Sequence, residues 1–501
     1  MNRSRLLLGL ILLTAFLLAM PGFNESLWLD ELHTTFVRFP SLGHFLEIVV
    51  ADTGLPVHPV LMYLWINILG DSEISLRSAS LLAALLSILL TYVFARRFLD
   101  ETAALVAAFL MAVSPVHIWY SQEARHYSFS ILCVVAAAAA FGRGGRRWLH
   151  LYAAAVVAFT LTHMFLVTYL FTFSLLCFPQ PEPNRKWYLT WNAVAAMLLA
   201  ITIFIQWLAS VFFPHLTYLD TFNLPELWHL LFQWFPTGDA VTRWASLPVF
   251  AAFAIGLVYL WKRKATELLL LFATVPGFLL ALWLVGTEHF YIERAAITAL
   301  PFFCIVLAAG IRGRIAQAGS LVFVVFVLWN YYHKTDVWTV YKPNPDWRAG
   351  TKYLSRQIEG CGGVVPVIVN IIAPEPAYYD HRFVEEGQVR FTEYRKRNRD
   401  VLPPGPFAEW KRVFRRALWS LFVDIRPPTP GGILCEASRY DTSRLYQTAL
   451  KNHSGCVLFA QNLFWRAPWD RLKEKIDADG RFQQAGEFQA KGLRIYRYTV
   501  R

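Results

Sequence analysis

Arg3-Ser-Arg5, then the apolar run Leu6 to Met20, then Ser26-Leu-Trp28-Leu-Asp30-Glu31-Leu-His33-Thr-Thr35, is the stretch that decides how this chain is read. The run is long enough to cross a bilayer, and the arginines before it place the N-terminus in the cytoplasm. Two adjacent carboxylates, Asp30 and Glu31, then emerge at the outer surface. Carboxylates at that depth are costly unless they line a wet cavity or meet cations. A helix cap or an interfacial acidic pair explains them as well as a site does, and the rest of the chain must decide. No small-residue cleavage site follows the run, so it reads as an uncleaved first span.

The chain has 501 residues, 56% apolar and 16% charged, with a net charge of +12. That is too apolar for a soluble enzyme and too charged for a bare membrane bundle. Apolar runs recur up to Tyr332 and stop at His333, which divides the chain into a membrane module, 1–332, and a second domain, 333–501. The second domain holds 28 Lys+Arg against 18 Asp+Glu, so most of the positive charge lies there. Beside a membrane this charge suits anionic lipid or phosphate, and no nucleic-acid-binding motif accompanies it. Arg395 to Arg399, Lys411-Arg412 and Arg415-Arg416 form a basic patch that reads first as a solvated surface.

The remaining spans are expected at 76–95, 102–118, 128–141, 148–162, 165–178, 189–210, 247–260, 268–285, 295–310 and 320–331. With the first, this gives about eleven crossings. Every inner turn then carries Arg or Lys, and the C-terminal domain falls outside. Between Asn24 and Ser75 lies an outer loop with two candidate interfacial helices, 41–51 and Val60–Leu69, the latter too short to span. Val211 to about Trp244 reads as a long aromatic loop. In the outer domain Trp347–Glu359 is expected as a helix. Val364–Ile372, Leu418–Ile425 and Val457–Gln461 are expected as strands, and Phe488–Val500 as a hairpin turning near Ala490-Lys-Gly492. The fold class is an α-helical polytopic membrane protein with a C-terminal extracytoplasmic α/β domain. Cys133, Cys177 and Cys304 read as small hydrophobes; a pair such as Cys435–Cys456 is able to form a disulfide if its domain is outside.

On this topology the outer turns collect Asp30, Glu31, Arg38, Asp52, His58, Glu123, Arg125, Tyr127, His163, His215, Asp220, Glu288, His289, Glu293 and Arg294. A carboxylate there can serve as a general base, and an arginine can hold a phosphate through paired charge-assisted hydrogen bonds. Arg125 and Arg294 are equally able to be structural partners of Glu123, Glu288 or Glu293.

The order Trp28-Leu-Asp30-Glu31, His58-Pro59 opening Val-Leu-Met-Tyr-Leu-Trp, Gly70-Asp-Ser-Glu-Ile-Ser-Leu-Arg77-Ser, and Ser114-Pro115 with Ser121-Gln-Glu-Ala-Arg125-His-Tyr127-Ser is distinctive. It resembles the bacterial GT-C type membrane glycosyltransferases, in the group of protein mannosyltransferases and the lipid A aminoarabinose transferase. Asn344-Pro-Asp346-Trp-Arg348 resembles the same group. The resemblance implies an inverting transfer from a polyprenyl-phosphate sugar to a hydroxyl of a glycan, lipid or protein, at the outer face of the bacterial inner membrane. It implies Asp30 as the catalytic carboxylate, with Glu31 beside it. Arg125 matches the arginine that follows the third span. His58, Asp52, Glu123, Tyr127 and Arg294 are the further substrate-binding candidates, although Asp52-Thr-Gly-Leu-Pro-Val-His58 departs from the tighter His-Pro-Pro form of the group. No metal site is indicated and no cofactor is required; an acid/histidine cluster could still take a divalent cation. A lipid-linked glycan transporter would instead place polar groups near mid-membrane or show paired broken helices. A non-catalytic envelope scaffold would leave Asp30 dispensable.

Overall fold

The computed structural model describes residues 3–28, 31, 55–208, 222–240, 244, 246–286, 293–333, 345–361, 365–369, 433–437, 455–462 and 467–500. The expected helix 41–51, the expected strand 418–425, the basic patch, Asp30 and Asp52 lie outside the described residues.

The chain forms two compact units. One comprises Met1–Asn24 and Val37–Trp338; the other comprises Glu25–Phe36 and Thr339–Arg501. The segment Glu25–Phe36 thus groups with the C-terminal unit.

The first unit is helical. Its elements begin with α1 (Arg3–Ala19), α2 (Val57–Leu69), α3 (Glu73–Ala95), α4 (Glu101–Val113), α5 (Pro115–Ser121), α6 (Tyr127–Ala140) and α7 (Arg146–Thr160). A 3-10 turn (Met164–Leu166) leads into α8 (Val167–Cys177), followed by α9 (Asn184–Leu208) and α10 (Leu224–His229). Then come α11 (Ser246–Lys262), α12 (Thr266–Leu284), a 3-10 segment (Glu293–Ala299) running into α13 (Leu300–Gly310), and α14 (Arg314–His333). Each stretch expected to span coincides with one of these helices or helix pairs. Among the described residues four helices are long and apolar enough to cross a membrane alone, or five if α4 and α5, bent by 60°, form one span. Their lipid-facing character is plain in α9, where Met197 and Phe204 are 55% and 52% exposed. Apolar side chains cannot be left in water on that scale, so this is a multi-pass membrane protein.

The helix starts are written locally. The Ser72 side chain accepts from the Ser75 N–H at the head of α3, and Asp100 accepts from Ala103 N–H at 2.9 Å at the head of α4. Ser114 caps α5, with Pro115 in its first turn, which is where the bend falls. α2 buries His58, Met62 and Ile66 at every fourth position and exposes Val60, Leu64 and Ile68 on its other side. At thirteen residues it is too short to span, as the sequence indicated.

Close helix packing uses small residues. A Cβ on Gly256 of α11 would overlap the Val306 carbonyl oxygen of α13, and one on Gly310 would overlap that of Ala252. The backbones touch there, as small residues allow in lipid. At the far end of α3, Arg97 makes a bidentate pair with Glu267 at 2.7 and 2.8 Å. The same guanidinium donates to the carbonyls of Ala138 and Phe141, so an arginine read only as a topology signal also joins three helices.

The second unit is α/β. Its described elements are α15 (Trp347–Cys361), β1 (Val365–Val369), β2 (Ile433–Ala437), β3 (Cys456–Asn462), α16 (Ala467–Asp477), β4 (Phe482–Ala490) and β5 (Leu493–Val500). The sheet runs β2-β1-β3-β5-β4, with β1 parallel to β2 and β3 and the last two pairings antiparallel. Alternation along the strands builds two cores. Leu458, Ala460, Leu493 and Ile495 pack with Trp347, Leu354 and Ile358; Val457, Phe459, Tyr496 and Tyr498 pack with Leu472 and Ile476. The sheet therefore lies between α15 and α16.

The disulfide differs from the pairing offered from sequence: Cys361 bonds Cys456, not Cys435. Cys435 aligns with Val367 on β1, and Val367 aligns with Leu458 on β3. Two strand spacings, roughly 9 to 10 Å, separate β2 from β3, beyond the reach of a disulfide.

Candidate functional site

Within the first unit one end of the bundle gathers charged and imidazole side chains from four elements. His58 stands in the first turn of α2, whose start is tied to the end of α7 by Val57 N–H to Leu161 O at 3.1 Å. Arg125 and His126 fill the turn between α5 and α6. That turn is pinned by Ser80 Oγ donating to Arg125 O at 3.3 Å, and by Ser128 Oγ donating to Tyr120 O at 2.8 Å. His163 precedes the 3-10 turn, and Arg294 lies in the 3-10 segment before α13.

The rings form a continuous row. His58 meets His126 edge-on at 6.1 Å, His126 stacks on His163 at 4.8 Å, and His163 stacks on Phe165 at 5.6 Å. On the other side His126 lies 4.4 Å from Tyr127, Tyr127 lies 4.6 Å from Tyr120, and the Arg294 guanidinium sits 6.0 Å from the Tyr127 ring.

Burial holds the three imidazoles neutral. It pushes His58 down to about 3, with Arg125 adding to the effect. It pushes His163 down to about 4, with Arg294 and Arg125 adding. It also holds His126 well below the usual imidazole range, followed by the influence of His163, Arg125, His58 and Arg294. His163 Nδ1 accepts the Phe165 N–H at 3.3 Å, which leaves its proton on Nε2. The positive charge of this face is therefore carried by Arg125 and Arg294, while neutral imidazoles can donate or accept beside it. Two arginines on such a face can pair an anionic oxygen, and that pairing offsets the cost of desolvating it.

Glu123 belongs to the same neighbourhood but is 4% exposed and accepts Trp119 Nε1–H at 3.1 Å, which makes it a support for the α5–α6 turn. In the second unit Glu31 is 1% exposed, with Oε2 3.4 Å from the Trp28 N–H. The structure thus brings His58, Glu123, Arg125, Tyr127 and Arg294 together in the first unit and describes Glu31 in the second. Asp30 and Asp52 are outside the described residues.

Sequence reasoning missed His126, although it sits inside the quoted motif, because nothing local indicates its stacking on a ring thirty-seven positions away. It also missed the helix beginning at Leu224. Asn223 accepts Glu226 N–H at 3.0 Å, and Pro225 follows the cap, so the signal was present in an aromatic stretch read as loop. A π-helical segment (Leu230–Trp234) and Phe235–Thr237 continue that helix. Gly238 and Asp239 are both left-handed, a conformation Asp tolerates, and the reversal returns Asp239 to His229. His229 Nε2 is 2.8 Å from Asp239 Oδ1, and its Nδ1 is 3.3 Å from Glu293 Oε1. The Asp239 carboxylate, then Glu293, raise the imidazole to about 10, so it is a cation at neutral pH. Glu226, His229 and Glu293 also offer ligand atoms within 4.8 Å of one another. That trio could hold a divalent cation after losing the imidazole proton.

A model of the family described as dolichyl-phosphate-mannose-protein mannosyltransferase matches residues 53–210, the part that carries α2, the α5–α6 turn and His163. Among solved structures, ArnT from Cupriavidus metallidurans in the apo state matches with a TM-score of 0.53 at 12% identity, over 98% of this chain and 97% of that one. ArnT from the same organism bound to undecaprenyl phosphate matches at 0.50 and 13%, with the same coverage. No curated protein sequence matches the chain. At such identity the likeness is one of fold. It agrees with the GT-C type fold expected from the motif order.

Proposed function

We propose that the chain is a GT-C type glycosyltransferase that moves a sugar from a polyprenyl-phosphate donor to an acceptor hydroxyl, with inversion, at the outer face of a bacterial inner membrane. The observation that carries this reading is the pair Arg125 and Arg294 set among three buried neutral histidines. The undecaprenyl phosphate bound by ArnT, whose fold is similar, supports a ligand of that class.

In this reaction the acceptor oxygen attacks the anomeric carbon as the bond from that carbon to the donor phosphate breaks. The hydroxyl proton goes to a carboxylate base, assigned to Asp30. The phosphodiester leaves as a monoester and gains one negative charge. It is a good leaving group, so no acid is needed to protonate it. Arg125 and Arg294 stabilise the developing charge, and neutral His58 and His163 add hydrogen bonds without repelling or over-binding the donor. Tyr127 orders Arg294 through its ring face. Asp52 remains the proposed second acid on the acceptor side, where the acceptor is a glycan, a lipid or a protein.

The experiment is a donor screen. Membranes containing the chain are supplied with polyprenyl-phosphate-linked mannose, glucose or arabinose, and release of polyprenyl phosphate is measured. Release above chain-free membranes with one of these donors is expected. Equal background release with all of them would overturn the reading.

A further inference from the structure

We infer that the C-terminal unit holds the segment that carries Glu25, Ser26 and Glu31, with Asp346, Ser26 and Lys491 as positioning residues for the transfer reaction; the inference rests on the function proposed above. All the contacts that carry it lie within the second unit, which includes Glu25–Phe36.

Asp346 heads α15 and acts as its cap: Oδ1 accepts the Ala349 N–H at 3.0 Å. The same oxygen accepts the Ser26 hydroxyl at 3.1 Å, and Ser26 Oγ in turn accepts the Arg348 N–H at 3.1 Å. Ser26 therefore joins the cap of a helix more than three hundred residues away in sequence. The α15 start is itself fixed, because the Asp346 N–H donates to Lys491 O at 2.8 Å in the β4–β5 turn. The Lys491 side chain then reaches Glu25 Oε1 at 2.6 Å. Ser26 is 6% exposed and Leu27 fully buried, so this is a packed seam. Ser26 lies four residues before Asp30. Asn344-Pro-Asp346-Trp-Arg348, unexplained by the transfer chemistry, gains a task.

A base acts only within hydrogen-bond reach of its proton, so its approach must be set by neighbours. Displacing a reacting group by about 1 Å can cost roughly 100-fold in rate. The test uses the full chain with Ser26→Ala and Lys491→Met, neither of which removes the Asp346 cap of α15, and the exchanged pair Glu25→Lys with Lys491→Glu. Two readouts are taken: kcat and donor KM for transfer, and hydrogen exchange of the peptide covering residues 24–31. The single variants should lower kcat by roughly 10- to 100-fold with donor KM unchanged, and exchange in that peptide should quicken. The charge-exchanged pair should recover both relative to Lys491→Glu alone. Wild-type kcat together with wild-type exchange in the single variants would overturn the inference. Exchange is measured without donor, so quickened exchange in a chain that turns over no donor would uphold the seam and instead overturn the transferase reading.

Discussion

Replacing His229 by Gln removes a cation held between two carboxylates, and the loss should depend on pH in a defined way. His229 rises from 6.5 to about 10 because Asp239 and Glu293 flank it. A folded-state value above the unfolded one means that the contribution is fully present below about 6.5 and disappears as pH climbs through about 10. Converted at 1.36 kcal/mol per pH unit, that rise has an upper bound of about 5 kcal/mol. The imidazole is 28% exposed, and solvent screening reduces the expected value to about 2 kcal/mol. Thermal unfolding of wild type and His229→Gln in detergent, followed by tryptophan fluorescence between pH 6 and pH 10.5, measures the difference between them. The variant should melt lower at pH 6 to 7, and the gap should close toward pH 10. A gap of constant size across that range would refute the claim that the imidazolium, rather than ring packing, does the holding.

Arg125→Ala and Arg294→Ala should each reduce kcat/KM for donor turnover by roughly 100- to 1000-fold, as loss of a charge-stabilising donor does. Lysine at either position should recover only part of it. Gly256→Leu should leave little folded protein, judged by monodisperse yield in detergent, because its Cβ has no room beside Val306. Cys361→Ser with Cys456→Ser should lower the stability of the second unit by roughly 2–5 kcal/mol, since the bond closes a loop with a sequence separation of 95. Differential scanning fluorimetry of the full chain would read that as a lowered transition.

The membrane helices were legible because long apolar runs and flanking Arg or Lys are strong, local signals. The hairpin at Ala490-Lys-Gly492 was legible for the same reason: β4 and β5 meet at Ala490 and Leu493, as the turn residues indicated. What escaped depended on distance in the chain. The Cys361–Cys456 bond follows from strand order, which spacing does not reveal. The row His58–His126–His163 comes from three separate turns, and only its flanking motifs, not its stacking, could be read. His229 lay in an aromatic stretch with no polar periodicity, so its carboxylate partners could not be anticipated. The tie between Ser26 and Asp346 joined two motifs that sequence had noticed separately.

The central claim, that this chain transfers a sugar with Asp30 as the base, is tested most directly by Asp30→Asn in membranes supplied with the donor found active on wild type. Asparagine keeps the size of the side chain and removes its basicity. The account predicts that transfer falls by at least roughly 100-fold while polyprenyl-phosphate binding persists. Transfer at the wild-type rate would contradict it.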